Sequence, residues 1–492
     1  MTLLIAAASA FGLFVVALFI LHVVASTYFL RAEPPNLGHG SPEDFEWHIV
    51  VPALNEAAVL DDTLRRLTTL VEYVHVWIVD DASDDDTPRI ASRWARSFDR
   101  IHLVTRSAPN ARLGKGAALN AAYRAITAWR IAAGARGSVP VPMRTIVGIV
   151  DADGVLDPNT FKVLAGPHCF GDATVGAVQQ DVWMRNADDR HPFPTGGRWR
   201  NHFGATLLRL QDVEFRASIA AIQHIRHHTS SVAMGGNGQW TRLEALDDIV
   251  LLNASRWNRK SASVGDNDLG PWHGALLEDF ELGLHLLMTG WISRFTPGCY
   301  VAQEALPSMG RYLRQRTRWC QGSMQCIRYL PDLWRSAFVG PWALLEICYY
   351  LLQPWLWIVG TFLFPLPLID AGKSFVASPT NWLSWVRHDG GWMWLLMFWG
   401  TAIVPLASWA FTYRIVRAHT ENVRTSRRRA LHDGLAYVVL VNLSYVIAWR
   451  SLGRLIRGRN GWAKTSRVAE HNGTRSVDLI ETGSPRAAIV DT

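Results

Sequence analysis

Cysteine is scarce in this sequence, with five residues in a chain of 492. No two of them stand in a CxxC pair, the spacing at which two thiolates commonly share a zinc ion. The sequence therefore argues against a structural zinc site and against a disulfide framework. The GxxxxGK[ST] motif is also absent, which excludes a P-loop nucleotide site.

Charge is missing from the N-terminal stretch, because residues 3–30 contain no Asp, Glu, Lys or Arg. This run exceeds the roughly 20 apolar residues that cross a bilayer. A signal peptide would have a basic start and a shorter apolar region, so the sequence predicts a retained transmembrane anchor over residues 1–31. Two later apolar runs, 342–369 and 392–416, predict two transmembrane helices within residues 341–416.

Basic residues outnumber acidic residues and give a net charge of +7. They concentrate beside the apolar segments, a distribution that favours membrane lipids as partners and argues against nucleic acid. The arginines between positions 414 and 429 place the end of the third apolar run on the cytoplasmic side. The sequence thus predicts a multi-pass plasma-membrane protein whose central domain is cytoplasmic.

A fourth apolar segment, residues 430–457, allows two interpretations. It contains Asp433 and Asn442, and six basic residues stand between positions 450 and 467. All six would lie outside the cell if the segment crossed the membrane. We therefore expect a helix that lies along the cytoplasmic interface. An ordinary fourth transmembrane helix is the alternative.

Between the anchor and the later apolar runs, short β-branched runs alternate with helical stretches. This alternation predicts strand–helix–strand units and a parallel sheet. Ligands of such sheets gather at the carboxyl ends of the strands. Two aspartate pairs stand at such ends, Asp80-Asp81 and Asp151-Ala152-Asp153. The predicted strands are residues 48–52, 74–80, 101–105, 145–150 and 174–178.

Four motifs follow one another along the chain. They are Asp80-Asp81, Asp151-Ala152-Asp153, Glu278-Asp279 and Gln315-Arg316-Thr317-Arg318-Trp319. This order resembles that of the processive members of glycosyltransferase family 2, which include the cellulose, chitin and hyaluronan synthases. The resemblance implies an α/β catalytic domain of the GT-A (Rossmann-like) type over residues 45–310, embedded in an α-helical transmembrane protein. It also implies an interfacial helix over residues 311–338 that carries the QxxRW motif.

The resemblance assigns a nucleotide-sugar donor, most simply a UDP-sugar, to several of these motifs. In the family the turn after the first strand lines the nucleotide, and carboxylates of the first aspartate pair can accept hydrogen bonds from a uracil or a ribose. Arginine can bind the diphosphate, and Lys115 is implied to face the donor, with a solvated surface lysine as the alternative. The expected donor-binding residues are Pro52, Ala53, Glu56, Asp80, Asp81, Lys115, Asp151, Asp153, Gln315 and Arg318.

A metal site is expected at Asp151 and Asp153. In an extended segment two residues at this spacing point to the same side. Their carboxylates can then share one Mg²⁺ or Mn²⁺ with a diphosphate, and the cation would neutralise the leaving group. A calcium-binding turn or a solvated turn is the alternative interpretation.

Asp279 is the expected catalytic base, because Leu277-Glu278-Asp279 looks like the base motif of the family. Inverting transfer needs one carboxylate to take the proton from the acceptor hydroxyl as its oxygen attacks the anomeric carbon. By the same resemblance Trp319 marks the acceptor site, where the indole offers a flat platform for a sugar ring. Glu278 and Gln180 complete the expected acceptor-binding residues.

A short segment near the C-terminus, residues 458–468, is similar to the gating segment of the hyaluronan synthases. A loop of this kind can close over bound nucleotide and exclude water. Residues 469–492 carry no usable pattern and are expected to be disordered. The expected gating residues are Trp462, Lys464, Thr465 and Arg467.

These inferences predict a membrane-embedded, inverting, processive β-glycosyltransferase that polymerises a polysaccharide from a UDP-sugar and moves the growing glycan across the plasma membrane. Three membrane crossings make a self-contained channel for the glycan harder to build, so we expect a homo-oligomer or an accessory secretion partner to complete it. The alternative within enzymes is a non-processive transferase that adds one sugar to a lipid carrier. The alternative of another class is a transporter or scaffold whose acidic motifs are inert.

Overall fold

The computed structural model describes residues 2–31, 38–70, 74–134, 144–257, 270–363, parts of 365–396, 409–421 and 423–459. Within them the strands are β1 (Glu46–Ala53), β2 (Val74–Asp80), β3 (Ile101–Thr105), β4 (Thr145–Ile149), β5 (Val155–Leu156), β6 (Val175–Met184), β7 (Gln239–Arg242) and β8 (Ile292–Gln303). The first helices are α1 (Thr2–Arg31), α2 (Leu60–Leu70), α3 (Thr87–Ser97), α4 (Lys115–Gly134), α5 (Thr160–Leu164), α6 (Arg198–Val213), α7 (Ala220–Thr229) and α8 (Leu243–Trp257). They are followed by α9 (Glu278–Thr289), α10 (Met309–Cys326), α11 (Leu330–Arg335), α12 (Pro341–Leu363), α13 (Asn381–His388), α14 (Phe411–Thr420) and α15 (Arg427–Ile456).

The strands form one sheet in the order β3-β2-β1-β4-β7-β6-β8-β5. All five predicted strands are present, and β3, β2, β1 and β4 are parallel to one another. β7, however, runs antiparallel between β4 and β6, and β5 runs antiparallel to β8. The prediction of a wholly parallel sheet is therefore wrong, and the α/β fold has a mixed, GT-A-like sheet.

The reversal at β7 comes from a glycine turn. Gly236 and Gly238 have φ angles of 82° and 70°, a region that favours glycine, and they turn the chain into β7. Trp240 of β7 then lies against Gly148 of β4, where a Cβ atom would overlap the indole ring. The sequence of β7, Gln-Trp-Thr-Arg, shows no alternation of apolar and polar residues, so its pattern does not predict a strand.

The sheet is buried on both faces. Successive side chains of a strand point to opposite faces, and in β1 Ile49 and Val51 pack in one apolar layer while Val50 packs in the other. Trp47 anchors the first layer beside Trp240 and is fully buried. Burial on both faces explains why these strands read as continuous apolar runs.

Two described helices, α12 and α15, are long and apolar enough to cross a membrane. α12 lies within the predicted region 341–416. α15 is the segment 430–457, for which the sequence favours an interfacial helix, and its length and composition fit a crossing as well. α1 spans 30 residues, of which residues 3–30 carry no charged side chain, as the predicted anchor requires. The arrangement across the membrane stays a prediction.

Parts of the predicted scheme fall outside the described residues. They include residues 397–408 of the apolar run 392–416, the gating residues Trp462, Lys464, Thr465 and Arg467, and the tail at 469–492.

Ion pairs fasten the helical layer to the catalytic domain. Arg226 of α7 pairs with Glu346 of α12 at 2.9 Å. Arg209 of α6 pairs with Asp433 of α15 at 3.1 Å. Since α15 also packs on α10, the apolar helices lie directly against the helix that carries the QxxRW motif.

Candidate active site

One cavity gathers most of the side chains that the sequence singles out. It opens at the carboxyl ends of the central strands and is closed on the other side by α9 and α10. The predicted site residues that line it are Pro52, Ala53, Glu56, Asp81, Lys115, Asp151, Glu278, Asp279, Gln315, Arg318 and Trp319. Residues separated by more than 200 positions thus meet at one edge of the sheet, as expected for an open α/β sheet.

Lys115 is the cation at the centre of the acidic part of this cavity. Its Nζ atom lies 2.9 Å from Oδ1 of Asp151. Burial by itself lowers the pKa of Lys115, but the negative charges of Asp151, Asp279 and Glu278 outweigh it and hold that pKa above its usual value. The lysine is therefore ionised and neutralises part of the carboxylate cluster.

Glu278 and Asp279 stand in the first turn of α9, where the helix dipole favours negative charge. Burial raises the pKa of Asp279, although Lys115 opposes the shift. Burial and the charge of Asp279 raise the pKa of Glu278 to about 8. Oδ1 of Asp279 is buried and has no hydrogen-bond partner among the described residues. A carboxylate with a raised pKa and an unused oxygen is equipped to accept a proton.

The glycine turn ahead of β7 brings backbone against this base. A Cβ atom at Gly236 would overlap Oδ2 of Asp279, and it would lie 3.0 Å from Nζ of Lys115. The neighbouring Asn237 accepts a hydrogen bond from the backbone N–H of Asp151 at 3.1 Å and donates one to Gln303 at 2.9 Å. Only glycine at position 236 leaves room for these two charged groups, and the sequence analysis did not single out Asn237 or Gln303 as site residues.

Asp151 and Asp153 lie in a tight turn rather than in the expected extended segment, because the backbone N–H of Gly154 donates to the carbonyl of Asp151 at 2.7 Å. Asp151 faces the cavity. Asp153 is buried behind it, and its Oδ2 accepts the backbone N–H of Glu304 at 3.1 Å. The two carboxylates therefore do not point to the same side in the way that the spacing suggests.

The carboxylates at this site nevertheless fit a divalent cation whose coordination shell is completed by the phosphate groups of the substrate. Among the described residues no group of three or more His, Cys, Asp or Glu side chains is arranged to hold a metal ion. Mg²⁺ in phosphate-binding sites typically takes one or two carboxylates and completes its shell with phosphate oxygens and water. Asp151 at the cavity wall supplies a ligand of that kind.

The first aspartate pair divides between two tasks. Asp81 lines the cavity, and its Oδ1 accepts hydrogen bonds from Arg106 at 2.5 Å and from the backbone N–H of Arg112 at 3.0 Å. Asp80 lies outside the cavity lining and accepts the backbone N–H of Ser83 at 3.2 Å. The structure thus places Asp80 in the turn that shapes the cavity edge.

Gln180 does not reach the cavity. β6 continues to Met184, so Gln180 lies within a strand rather than at its end, and it is fully buried. Its side chain donates to Thr160 at 3.0 Å and accepts the indole N–H of Trp240 at 2.7 Å. The expected acceptor contact is corrected to a core contact, because the whole amide group is occupied.

Trp319 is held in place on α10 from two sides. The guanidinium carbon of Arg316 lies 4.1 Å from the indole centroid, and Arg316 also pairs with Glu214 at 2.6 Å. The ring of Phe215 meets the indole edge-on at 6.3 Å. Glu214 and Phe215 belong to a π-helical segment, Glu214–Ile219, a geometry often found at functional sites.

A second cavity, of about 370 Å³, joins the first at the catalytic end. The two share Asp279, Trp319, Phe215 and Gly235 as lining residues. From there the second cavity extends between α10, α12 and α15. Its apolar lining includes Phe280, Trp357, Leu440, Val441 and Ile447. Glu346, an acidic residue near the start of a predicted transmembrane helix, also lines it.

Comparison with known proteins agrees with this geometry. The family model described as Glycosyltransferase like family 2 matches residues 46–322. The β-monoglucosyldiacylglycerol synthase of Trichormus variabilis is 28% identical over 292 residues, which cover 58% of this chain and 50% of that protein. The protein of the same name from Synechocystis is 28% identical over 298 residues, which cover 60% of this chain and 50% of that protein. The chain thus spans about half the length of these curated relatives.

One solved structure has a similar outline. A mannosyltransferase from Pyrobaculum calidifontis, in complex with GDP-Man and Mn²⁺, is 18% identical and superposes with a TM-score of 0.47. The match covers 90% of this chain and 98% of that one.

Proposed function

Because the chain belongs to glycosyltransferase family 2, we propose that it transfers one sugar from a nucleotide sugar to the hydroxyl group of a membrane lipid. The observation that carries this proposal is the junction of the two cavities at Asp279 and Trp319. One cavity is lined by charged groups suited to a nucleotide diphosphate. The other extends between α12 and α15, the two described helices that are apolar enough to enter a membrane.

The proposed reaction is an inverting displacement. Asp279 takes the proton of the acceptor hydroxyl while the hydroxyl oxygen forms a bond to the anomeric carbon. The bond between that carbon and the phosphate oxygen breaks on the opposite face, and the nucleoside diphosphate leaves with the electron pair. Lys115 and Arg318 line the cavity and are the cations that stabilise the leaving charge.

Asp151, with Asp153 supporting the turn, would hold a Mg²⁺ or Mn²⁺ ion, which supplies Lewis-acid stabilisation of the diphosphate. Asp151 is also the ion-pair partner of Lys115. We propose that donor binding breaks this contact, after which the ammonium group of Lys115 binds the phosphate groups of the donor. Pro52, Ala53, Glu56 and Asp81 form the wall for the nucleoside.

The second cavity is suited to a lipid acceptor. Its catalytic end offers Asp279 for the hydroxyl group and Trp319 for the adjoining polar part of the acceptor. Farther away its walls are mainly apolar side chains of α12 and α15, so acyl chains that enter from a membrane would stay in apolar surroundings. The names of the curated relatives, which describe glucosyl transfer to a diacylglycerol, support the same acceptor class.

This proposal adopts the non-processive alternative rather than the polysaccharide synthase expected first. A processive enzyme would need a channel through several membrane helices, and among the described residues two helices meet the criteria for a span. The curated relatives reported above carry the name of a lipid glycosyltransferase. Product length distinguishes the two activities.

The test uses the purified full chain in lipid nanodiscs with Mn²⁺ or Mg²⁺. UDP- and GDP-sugars are supplied one at a time with diacylglycerol, and lipid products are resolved by mass spectrometry. We expect one donor to give a lipid with a single added hexose, and Asp279→Asn to abolish the product. Asp99→Asn, at an exposed carboxylate between α3 and β3, is the matched control and should retain activity. A long glycan free of lipid would contradict the proposal.

A further inference from the structure

A basic pocket lies outside both cavities of the active site. It is formed by the loop at residues 190–197, the start of α6 and the start of α15, and it shares no lining residue with either cavity. Four arginines and three histidines line it. The proposed transfer reaction assigns no role to this concentration of positive charge.

Three of the four arginines are available to an anion. Arg209 is paired with Asp433 at 3.1 Å. Arg190, Arg198 and Arg429 form no salt bridge with any residue in the described part of the chain, and the first two are exposed. A guanidinium group presents a planar fork of donors that matches the oxygens of a phosphate group. The pocket can therefore offer several such forks to one phosphate.

The acidic groups beside the pocket do not cancel this charge. Asp433 is buried and accepts hydrogen bonds from Arg209 and from Nδ1 of His432, the latter at 3.0 Å. Asp188 is paired with Arg417 at 2.7 Å. A third carboxylate, that of Asp189, accepts the backbone N–H of His191 at 2.8 Å and, within the described residues beside the pocket, is the one acidic group set against the charges of Arg190, Arg198 and Arg429, so the pocket keeps a net positive charge.

Exposed apolar side chains adjoin the pocket. Trp199 and Phe203, one helical turn apart on α6, are 79% and 72% exposed. On α15, Leu431, Leu435 and Val439 follow one another at a spacing of four residues and are 46%, 58% and 67% exposed. This spacing places the three on one face of the helix. The apolar face begins within one turn of Arg429, so the pocket lies where a polar surface meets an apolar one.

We propose that the basic pocket binds the phosphate headgroup of an anionic phospholipid. The charge of the pocket is complementary to that headgroup. The apolar face of α15 begins beside the pocket, where it can contact the acyl chains of the same lipid. Trp199 and Phe203 sit at the boundary, where aromatic rings are favoured at membrane interfaces. The bound lipid would orient the catalytic domain against the membrane, independently of the acceptor in the second cavity.

The experiment measures lipid binding by the full chain purified in a neutral detergent. Short-chain phosphatidylglycerol, the phosphatidylcholine with the same acyl chains, and inorganic phosphate are titrated separately, with binding followed by native mass spectrometry. The variant Arg190→Gln/Arg198→Gln removes two exposed charges of the pocket. Arg66→Gln/Arg96→Gln, at exposed arginines of α2 and α3, removes the same charge elsewhere. Thermal unfolding of each variant checks the fold.

We expect phosphatidylglycerol to bind more tightly than phosphatidylcholine. The pocket variant should bind phosphatidylglycerol about 30-fold more weakly, since each arginine near an anionic headgroup contributes about fivefold. The control should bind like the unmodified chain, and Trp199→Ser should weaken both lipids together. Equal binding of the two lipids, unchanged binding by the pocket variant, or displacement of the lipid by equimolar inorganic phosphate would each overturn the proposal.

Discussion

Nζ of Lys115, in the first residue of α4, lies 2.9 Å from Oδ1 of Asp151, just past the end of β4. This contact joins the donor side of the cavity to the catalytic base. Burial raises the pKa of Asp279 and of Glu278, and the same ammonium group opposes both shifts. Three carboxylates and one lysine thus share a water-poor space, where charge interactions are stronger than in bulk water. The ionisation of the base depends mainly on Lys115, with a smaller contribution from Arg318.

Removal of this cation should disable the site. In Lys115→Met only Arg318 is left to offset the repulsion among the carboxylates, so the pKa of Asp279 rises further and the ionised base is harder to form. We expect turnover, measured as release of nucleoside diphosphate, to fall by about 100-fold or more. Lys162→Met, at an exposed lysine of α5, is the control and should keep full turnover. Unchanged turnover in Lys115→Met would show that the cation is dispensable.

The pH profile should report the ionisation of the pair in α9. Burial raises the pKa of Asp279, and burial with the charge of Asp279 raises the pKa of Glu278 to about 8. A base with a raised pKa gains its active, ionised form as the pH increases, so kcat/KM should rise with pH above the range in which an ordinary aspartate titrates. Because the charge of Asp279 raises the pKa of Glu278, Glu278 ionises after Asp279, and Glu278→Gln removes this second step.

The profile of the unmodified enzyme should therefore change a second time near pH 8, as Glu278 ionises, and the profile of Glu278→Gln should keep only the limb at lower pH. The measurement is kcat/KM for the nucleotide sugar between pH 5 and about 9, the range in which a raised carboxyl pKa is visible. A change near pH 8 that persists in Glu278→Gln would show that Glu278 is not its source.

The sequence predicts the elements that are apolar and regular, and it fails where structure depends on distant partners. β1 to β4 are recognisable because their β-branched runs are buried on both faces. β7 is polar, and only its place between β4 and β6 makes it a strand. β8 contains Pro297 and Gly298, and its pairing with β6 shifts register near them, which hides its pattern.

The candidate site shows the same division. Asp279, Lys115 and Trp319 are predictable because each belongs to a short motif with its own chemistry. Gln180 was misplaced because its strand is longer than its apolar run. The second cavity has walls from helices far apart in the sequence, and no local pattern encodes such a space.

The ion pair between Arg226 and Glu346 should be important for attaching α12 to the catalytic domain. Both side chains are 7% exposed, and the N–O distance is 2.9 Å. Loss of one partner leaves a buried charge without compensation, which typically destabilises a protein by about 3–5 kcal/mol. We expect Arg226→Met to lower the free energy of unfolding by that amount, measured by denaturant titration of the full chain in detergent.

Two further variants make this result specific. Arg226→Met/Glu346→Met removes both charges and should recover most of the lost stability, because apolar replacements of a buried pair are often neutral or better. Arg65→Met breaks an exposed pair with Asp62, whose N–O distance is 2.7 Å, and should change stability by less than about 1 kcal/mol. Equal losses in the two single variants would refute a special role for the buried pair.

A stack of histidines across β1, β2 and β3 should make the fold sensitive to acid. The rings of His48 and His75 stack at 5.2 Å, those of His75 and His102 at 5.4 Å, and the ring of His102 lies 4.1 Å from that of Trp77. Burial, with the neighbouring His48, lowers the pKa of His75 and of His102 to about 4. The usual histidine pKa is about 6.5, so between these values the unfolded chain binds more protons than the folded one.

The free energy of unfolding should consequently be constant above about pH 6.5 and decrease as the pH falls from there towards 4. His102→Phe keeps a flat ring against Trp77 but binds no proton, so its stability should decrease less steeply over the same interval. His39→Phe, at an exposed histidine outside the stack, should leave the slope as it is in the unmodified chain. Chemical denaturation at a series of pH values measures all three slopes, and identical slopes for His102→Phe and the unmodified chain would place the acid sensitivity elsewhere in the fold.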